Sequence, residues 1–388
     1  MKIVLFTHPS FLEHQSMPRY ANMLLSGMKE RQHEVEVWSP KARFYKLPVF
    51  SFLKKWLGYV DQYIVFPFEV KLKLLSAPND TLFVFADQAL GPWVPLVNKK
   101  KHVVHCHDFL ALKSALGNVP ENPTSFSGRQ YQNYIRNGFS KGKNFISISK
   151  KTQEDLEEFH QGKIIKSAVC YNGLSRPFQP LPASESRKLL QDKLNIRLSG
   201  GYVMHIGGNQ YYKNRKGVIE IYDHWRKTSK KKLPLLLIGE PPSDELLNLY
   251  QQSSYKDSIH FITNLSDEYI NNAYSGAICL LFPSLDEGFG WPIIEAMASG
   301  CPVLTTNRSP MNEVGGAAAF YIDKRPNDAL HLTKWKEDSA NILERLVSLD
   351  KAQAKELIEK SLRQAQKFTA EYFLNEIESI YKEINQNV

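Results

Sequence analysis

The stretch Phe282-Pro283-Ser284-Leu285-Asp286-Glu287-Gly288-Phe289-Gly290-Trp291-Pro292-Ile293-Ile294-Glu295-Ala296-Met297-Ala298-Ser299-Gly300 reads as the end of a strand, a glycine loop and a short helix, in that order. Pro292 suits the first position of a helix, where its missing N–H is no loss, and Gly300 suits the stop just past the end. The loop therefore meets the helix at its positive end. Gly288 and Gly290 let the backbone approach a ligand closely, and N–H groups there suit a sugar hydroxyl or a phosphate oxygen. A dinucleotide fingerprint would need a third glycine where Ile293 stands, so the loop is not that motif.

Outward from this stretch the same alternation recurs. Apolar or β-branched runs fall at 202–206, 234–238, 258–262, 278–282, 302–305 and 318–322, and earlier at 2–6, 34–38, 81–85, 102–106 and 145–148. Runs without interrupting polar residues suit strands buried on both faces, and the helical stretches between them suit right-handed crossovers. Each half is expected to be an open α/β sheet. Pro177, Pro180 and Pro182 predict an extended connector, giving a first domain over 1–172, a linker over 173–200 and a second domain over 201–366. A final helix over 367–388, with Tyr372, Phe373, Ile377, Ile380, Tyr381 and Ile384 at near-helical spacing, is expected to dock back. Open parallel sheets bind ligands outside the carboxyl ends of their strands, so two facing sheets would make a cleft with a site on each side.

Composition bounds the answer without choosing it. A chain of 388 residues, 43% hydrophobic, exceeds one ordinary core. The charge of +9, from 49 basic and 40 acidic residues, favours anions of any kind. No apolar run reaches the length of a spanning helix, and the N-terminus enters a strand directly at Lys2-Ile3-Val4-Leu5-Phe6. Cys106, Cys170, Cys279 and Cys301 lack paired metal spacing, so neither a disulfide scaffold nor zinc is expected, and a reducing cytoplasm fits.

Glu295, in the first turns of the helix, is placed to accept two hydrogen bonds from the vicinal hydroxyls of a ribose, and Glu287 to face a hexose. Spacing alone equally allows Glu295 to complement the helix dipole and Glu287 to be a solvated loop charge. The two glutamates, embedded in Phe-Pro-Ser-x-x-Glu-Gly-Phe-Gly and followed by Glu-Ala-Met-Ala-x-Gly-x-Pro-Val and by Glu313-Val314-Gly315-Gly316, resemble the donor-site signature of glycosyltransferase family 4, the group 1 glycosyl transferases. The resemblance implies a GT-B fold, two Rossmann-like domains facing each other, and retaining transfer from a nucleotide-sugar. It gives Glu287 the transferred sugar and Glu295 the ribose, with Gly288, Phe289 and Gly290 lining the donor.

Upstream, His205-Ile206-Gly207-Gly208-Asn209 closes a strand and Lys213-Asn214-Arg215-Lys216-Gly217 opens a helix. Lys213 resembles the family's phosphate lysine, which neutralises the leaving diphosphate. The family's partner arginine is absent, because Gly208 and Asn209 stand there. Arg215 is read either as its replacement or as an exposed residue at a helix start. The resemblance also implies that the loop at Asn264-Leu265 reads the nucleobase through its backbone, which leaves the base open.

In the first half, His102-Val103-Val104-His105-Cys106-His107-Asp108 is a strand ending in polar residues. His105 and His107 lack a third ligand, so metal is not expected. His107 resembles a family histidine that touches the donor sugar, with Asp108 beside it on the acceptor side; a packed polar residue is the plainer alternative. The family's first-loop glycines are missing, since Thr7-His8-Pro9-Ser10-Phe11 stands there, and N–H donors near Ser16, ahead of Pro18, are the remaining candidates. Between Lys41 and Lys73 aromatic side chains interleave with lysines; such a segment either lies on an anionic bilayer or packs its rings in the core.

No Asp-x-Asp occurs, so catalysis is expected to rest on Lys213, loop amides and helix ends rather than on a metal-bridged diphosphate, with no cofactor. The acceptor proton would pass to the departing phosphate. The expected partners are a nucleotide-sugar and a glycan or lipid-linked acceptor at the inner face of a membrane, with no nucleic acid. Two rivals stay open: an epimerase or phosphorylase on the same fold, and a non-catalytic donor-binding subunit.

Overall fold

The computed structural model describes residues 1–12, 16–174 and 176–386. It divides into two units, Met1–Ser175 with Ala370–Val388, and Arg176–Thr369. Each is built on a six-stranded, wholly parallel sheet.

The first unit contains β1 (Lys2–Phe6), β2 (Glu34–Trp38), β3 (Leu82–Phe85), β4 (His102–Cys106), β5 (Asn144–Ser147) and β6 (Lys166–Val169), in the spatial order β2-β1-β3-β4-β5-β6. The inner strands β3 and β4 are buried at every position, as the unbroken apolar run of β3 requires, and β4 buries His102 and His105 along with its valines. The edge strand β2 alternates Glu34 and Glu36 with Val35 and Val37. The other edge, β6, has the sequence Lys-Ser-Ala-Val and is half-buried throughout, so it carried no apolar signal.

Helix Ala370–Gln386 closes this unit, burying Phe373, Ile377 and Tyr381 beside Tyr20 and Leu24. It is fastened by a buried polar bolt. His105 lies between Tyr20 Oη, 2.6 Å from Nδ1, and Tyr381 Oη, 2.7 Å from Nε2. A neutral imidazole has one N–H and one lone pair, so one tyrosine accepts and the other donates. Burial pushes the His105 pKa down to about 3, which keeps the ring neutral.

The second unit contains β7 (Val203–Gly207), β8 (Leu235–Gly239), β9 (Ile259–Ile262), β10 (Cys279–Phe282), β11 (Val303–Thr306) and β12 (Ala319–Ile322), in the order β12-β11-β10-β7-β8-β9. The proline-bearing residues 176–182 have neither helix nor strand, and within the linker expected over 173–200 the chain is helical over Ala183–Leu194. That helix belongs to the second unit: Arg187 Nε donates to the Gly276 carbonyl at 2.8 Å and Ser186 Oγ to Asn272 at 3.2 Å. The three prolines precede the helix, and the residues after them carry no breaker until Gly200. All four cysteines are buried free thiols.

Candidate active site at the carboxyl edge of the second unit

The chain leaves β7 and β10, neighbours in the sheet, at the same edge, and two contacts tie the two exits together. Leu285 N donates to the Tyr212 carbonyl at 2.7 Å. Asn214 takes a left-handed conformation, φ +50°, which asparagine tolerates better than most residues. Its Oδ1 accepts from Gly217 N, capping helix Arg215–Thr228, and its Nδ2 donates to the Pro283 carbonyl at 2.8 Å. A Cβ on Gly217 would sit 2.4 Å from that amide, so the cap needs glycine there.

This joint sets Lys213 against Glu287. Lys213 Nζ lies 2.8 Å from Oε1 and 3.0 Å from Oε2, and the two side chains are only 15% and 8% exposed. Ser284 Oγ donates to the same Oε1 at 2.9 Å, and Asp286 accepts from Glu287 N at 3.0 Å. The ammonium also faces the rings of Tyr212 and Phe282, each 5.3 Å away. A half-buried cation is thus held by a carboxylate and aromatic faces, able to exchange part of that company for an arriving anion.

Gly290 caps helix Trp291–Ala298 at φ +103°, a conformation closed to most side chains. Phe289, 2% exposed, packs edge-on against Trp291 and Phe368 and so anchors the loop from the core side. Gly288 is half-buried between Glu287 and this anchor. Gly300 follows the helix at φ +73°. Glu295 lies in the second turn and accepts a hydrogen bond from Tyr274 Oη at 2.9 Å. Burial, and then the charge of Glu295, hold the Tyr274 pKa well above its usual value, so the phenol stays a donor.

Arg215 is not exposed. At 5% exposure its guanidinium lies over Phe261 and donates through Nη1 to Asn209 Oδ1 at 2.6 Å and to the Glu240 carbonyl at 3.0 Å. Its Nε and Nη2 are buried without a hydrogen-bond partner. Burial lowers its pKa, against the pull of Glu240. Gly208 lies under this cluster, where a Cβ would come 2.8 Å from a Glu240 oxygen. Asn264 is left-handed, φ +59°, in the exposed loop after β9, with Leu265 half-buried beside it. From β10 to β9 is three strand spacings, about 14 Å, so this edge offers an extended rather than a compact ligand a footing.

On the first unit, His107, expected at the donor sugar, and Asp108, expected on the acceptor side, are already engaged. His107, 6% exposed, bonds through Nε2 to the Ala86 carbonyl at 2.8 Å, and burial lowers its pKa. Asp108 caps the turn that follows by accepting from Leu110 N at 3.1 Å. Both border a pocket of about 240 Å³ that includes Asp87 and Gln88. Ser16 opens helix Ser16–Glu30; its side chain lies outside the described residues. In place of first-loop glycines, His8 Nε2 contacts Asp87 Oδ2 at 2.8 Å and borders a second pocket of about 820 Å³ with Lys41 and Lys46. Burial alone would raise the Asp87 pKa, but the hydrogen bond and charge of His8 bring it below its usual value.

Sequence reasoning missed Asp87 and Tyr274, whose partners lie 79 and 21 residues away in sequence, and Ser284, which bonds Glu287 only three residues on but has no pattern that sets it apart from any loop serine. Asn214 carried a local signal, an asparagine three residues before a helical glycine. Among the described residues, no group of three or more His, Cys, Asp or Glu side chains is placed to hold a metal.

A doubly wound pair of parallel-sheet units with this edge defines the GT-B fold, and solved structures agree. The Anabaena protein Alr3699/HepE, solved in complex with UDP and glucose, superposes with a TM-score of 0.70 at 16% identity, over 99% of this chain and all of that one. Residues 186–359 match the family model Glycosyl transferases group 1, so the second unit carries a domain of that family. Curated relatives include the O-antigen chain mannosyltransferase B of Escherichia coli, 30% identical over 47% of this chain and 46% of the relative. The O-antigen chain mannosyltransferase RfbU of Salmonella typhimurium is 25% identical over 57% of each. The chain spans about half the length of these relatives.

Proposed function

We propose that this chain is a retaining hexosyltransferase of glycosyltransferase family 4, moving a sugar from a nucleotide-sugar to a glycan or lipid-linked hydroxyl in surface polysaccharide assembly. The observation that carries it is the Lys213–Glu287 pair, 74 residues apart in sequence and bonded at 2.8 and 3.0 Å, beside Glu295 and a glycine-capped helix. Lys213 receives the charge of the departing diphosphate, Glu287 is released to bind the sugar, and Glu295 holds the ribose. The acceptor proton passes to the leaving phosphate, with no metal and no protein base assigned a part. Mannose is the first sugar to test, given the two mannosyltransferase relatives. Action at the inner face of a membrane, without a spanning helix, belongs to the same reading; no helix among the described residues is long and apolar enough to cross one.

The test is a screen of UDP- and GDP-sugars by thermal shift, then by nucleotide release with and without acceptor. A donor at about 100 times its Kd stabilises the fold by about 2.7 kcal/mol. Glu295→Ala is expected to lose that shift, and Lys213→Ala to keep most of it while turnover collapses. Nucleotide released equally without acceptor would point to a nucleotide-sugar hydrolase or a hydrolysing epimerase instead, and inverted anomeric configuration in the product would overturn retention.

A further inference from the structure

Between β2 and β3 the chain runs as one helical stretch, Ser51–Val60, a π turn at Asp61–Val65, and Phe66–Leu74. Its inward residues recur every four positions, with Gly58, Gln62, Phe66 and Val70 buried. Offset from them by two, and so on the opposite side, stand Trp56, Ile64, Phe68 and Leu72, which are 62%, 66%, 64% and 53% exposed. Phe50 and Phe52 extend the row at 77% and 69% exposure, their rings stacked 6.0 Å apart. A period of four drifts against a helix of 3.6 residues per turn, and the wider π turn in the middle offsets part of that drift. A surface helix ordinarily puts charge opposite its core face; this one puts aromatic and aliphatic side chains there.

Charge decides the occupant. Between Lys41 and Leu75 seven lysines and arginines face two carboxylates. Neither carboxylate is available: Asp61, 1% exposed, accepts the backbone N–H groups of Arg43, Phe44 and Tyr45 at 3.0, 3.0 and 2.9 Å, and Glu69 is ion-paired with Arg43. Lys54, Lys55 and Lys71 are exposed along the flanks of the apolar row. A second copy docking through the same patch would bring like charges together. We propose that this face docks on an anionic bilayer, aromatic side chains at the boundary of headgroups and acyl chains and lysines against lipid phosphates. It rests on, and gives a surface to, the membrane contact in the function proposed above.

The experiment is co-sedimentation of the full chain with vesicles of phosphatidylcholine mixed with phosphatidylglycerol, against phosphatidylcholine alone, in parallel with sedimentation velocity. Wild type is expected to bind the mixed vesicles and not the neutral ones. Lys54→Ala/Lys55→Ala is expected to lower partition about 30-fold, two lysines at about fivefold each. Trp56→Ser/Phe68→Ser is expected to lower it at least about tenfold. All four side chains are exposed, so thermal midpoints should hold. No binding to mixed vesicles, equal binding to neutral ones, or binding unmoved by both variants overturns the proposal. So does a self-assembly that Trp56→Ser/Phe68→Ser abolishes in the absence of vesicle binding. Donor-induced thermal shift, measured on the same proteins, reads the second unit, so its failure counts against transfer and leaves the vesicle result standing.

Discussion

The two units use one architecture, a six-stranded parallel sheet with its polar groups gathered at the carboxyl edge, and equip that edge differently. On the second unit two loops are zipped by Leu285, Tyr212 and Asn214, and a cation and a carboxylate face each other where a ligand can part them. On the first unit His107 is bonded to backbone, Asp108 caps its own turn and Asp87 is matched to His8. A preformed pair that an anionic group on one side and hydroxyl donors on the other can separate is machinery for one kind of chemistry. An edge whose charges are internally matched presents shape and hydrogen bonds instead.

The largest effect expected from this difference is at Lys213. Lys213→Ala removes the group proposed to receive leaving-group charge and leaves Glu287 buried without its lysine partner. Loss of one such stabilising contact costs about 3 to 4 kcal/mol in the barrier, or roughly 10² to 10³ in kcat. Glu287→Gln combined with Lys213→Ala forms a double-mutant cycle on kcat/KM, and strong non-additivity is expected. His8→Ala on the first unit should leave kcat within about tenfold, since it disturbs a pair rather than the reacting groups. Equal losses at Lys213 and His8 would erase the contrast between the edges.

Next in size is the backbone. Gly290→Ala forces a Cβ into φ +103°, at a cost of about 1 to 3 kcal/mol. The measurement is the denaturation midpoint, and the donor-induced shift should shrink with it because the helix start moves. The legibility of the two edges in the sequence follows the same division. The glycine loop and the helix after it were legible from local spacing, whereas Glu287, Glu295 and Lys213 were singled out by the family resemblance, since spacing alone left both glutamates a second reading. Strand β6 was illegible because an edge strand need not be apolar, Tyr274 and Asp87 because their partners are brought by the fold, and Ser284 because a loop serine three residues from a carboxylate carries no distinguishing pattern. The row from Phe50 to Leu72 left two readings open: only the structure shows that Gly58, Gln62, Phe66 and Val70 take the core, which turns Trp56 and Phe68 outward.

Each unit also buries a histidine fully within a strand of its sheet, His105 in β4 and His205 in β7, and the two differ in their partners. His105 has both nitrogens bonded to tyrosines, whereas His205 bonds the Leu281 carbonyl through Nδ1 at 3.0 Å and has Nε2 buried without a partner. Burial pushes both pKa values down to about 3. An unfolded histidine takes its proton near pH 6.5, so stability from the neutral rings is full above that pH. It is lost as pH falls from about 6.5 toward 3, at about 1.4 kcal/mol per unit for each histidine. Chemical denaturation from pH 7 to 5 should show this slope, and His105→Gln and His205→Gln should each remove one share. A slope unaffected by either would mean that the rings titrate normally in the fold.

The smallest effect separates the units most sharply, because the same change is made on both. Tyr274→Phe and Tyr20→Phe each delete one buried hydroxyl, the first from Glu295 and the second from His105. Each hydrogen bond contributes about 0.5 to 1.5 kcal/mol. At Tyr274 the loss should appear as a roughly twofold to twelvefold rise in donor KM with kcat held, since Glu295 is freed to tilt but keeps its charge. At Tyr20 it should appear as a lower midpoint with donor KM unchanged, since His105 joins helix Ser16–Glu30 to helix Ala370–Gln386 and touches no donor group. Donor KM rising equally in both would show that the first unit's bolt shapes the donor site, and the division of labour between the two edges would have to be redrawn around His105.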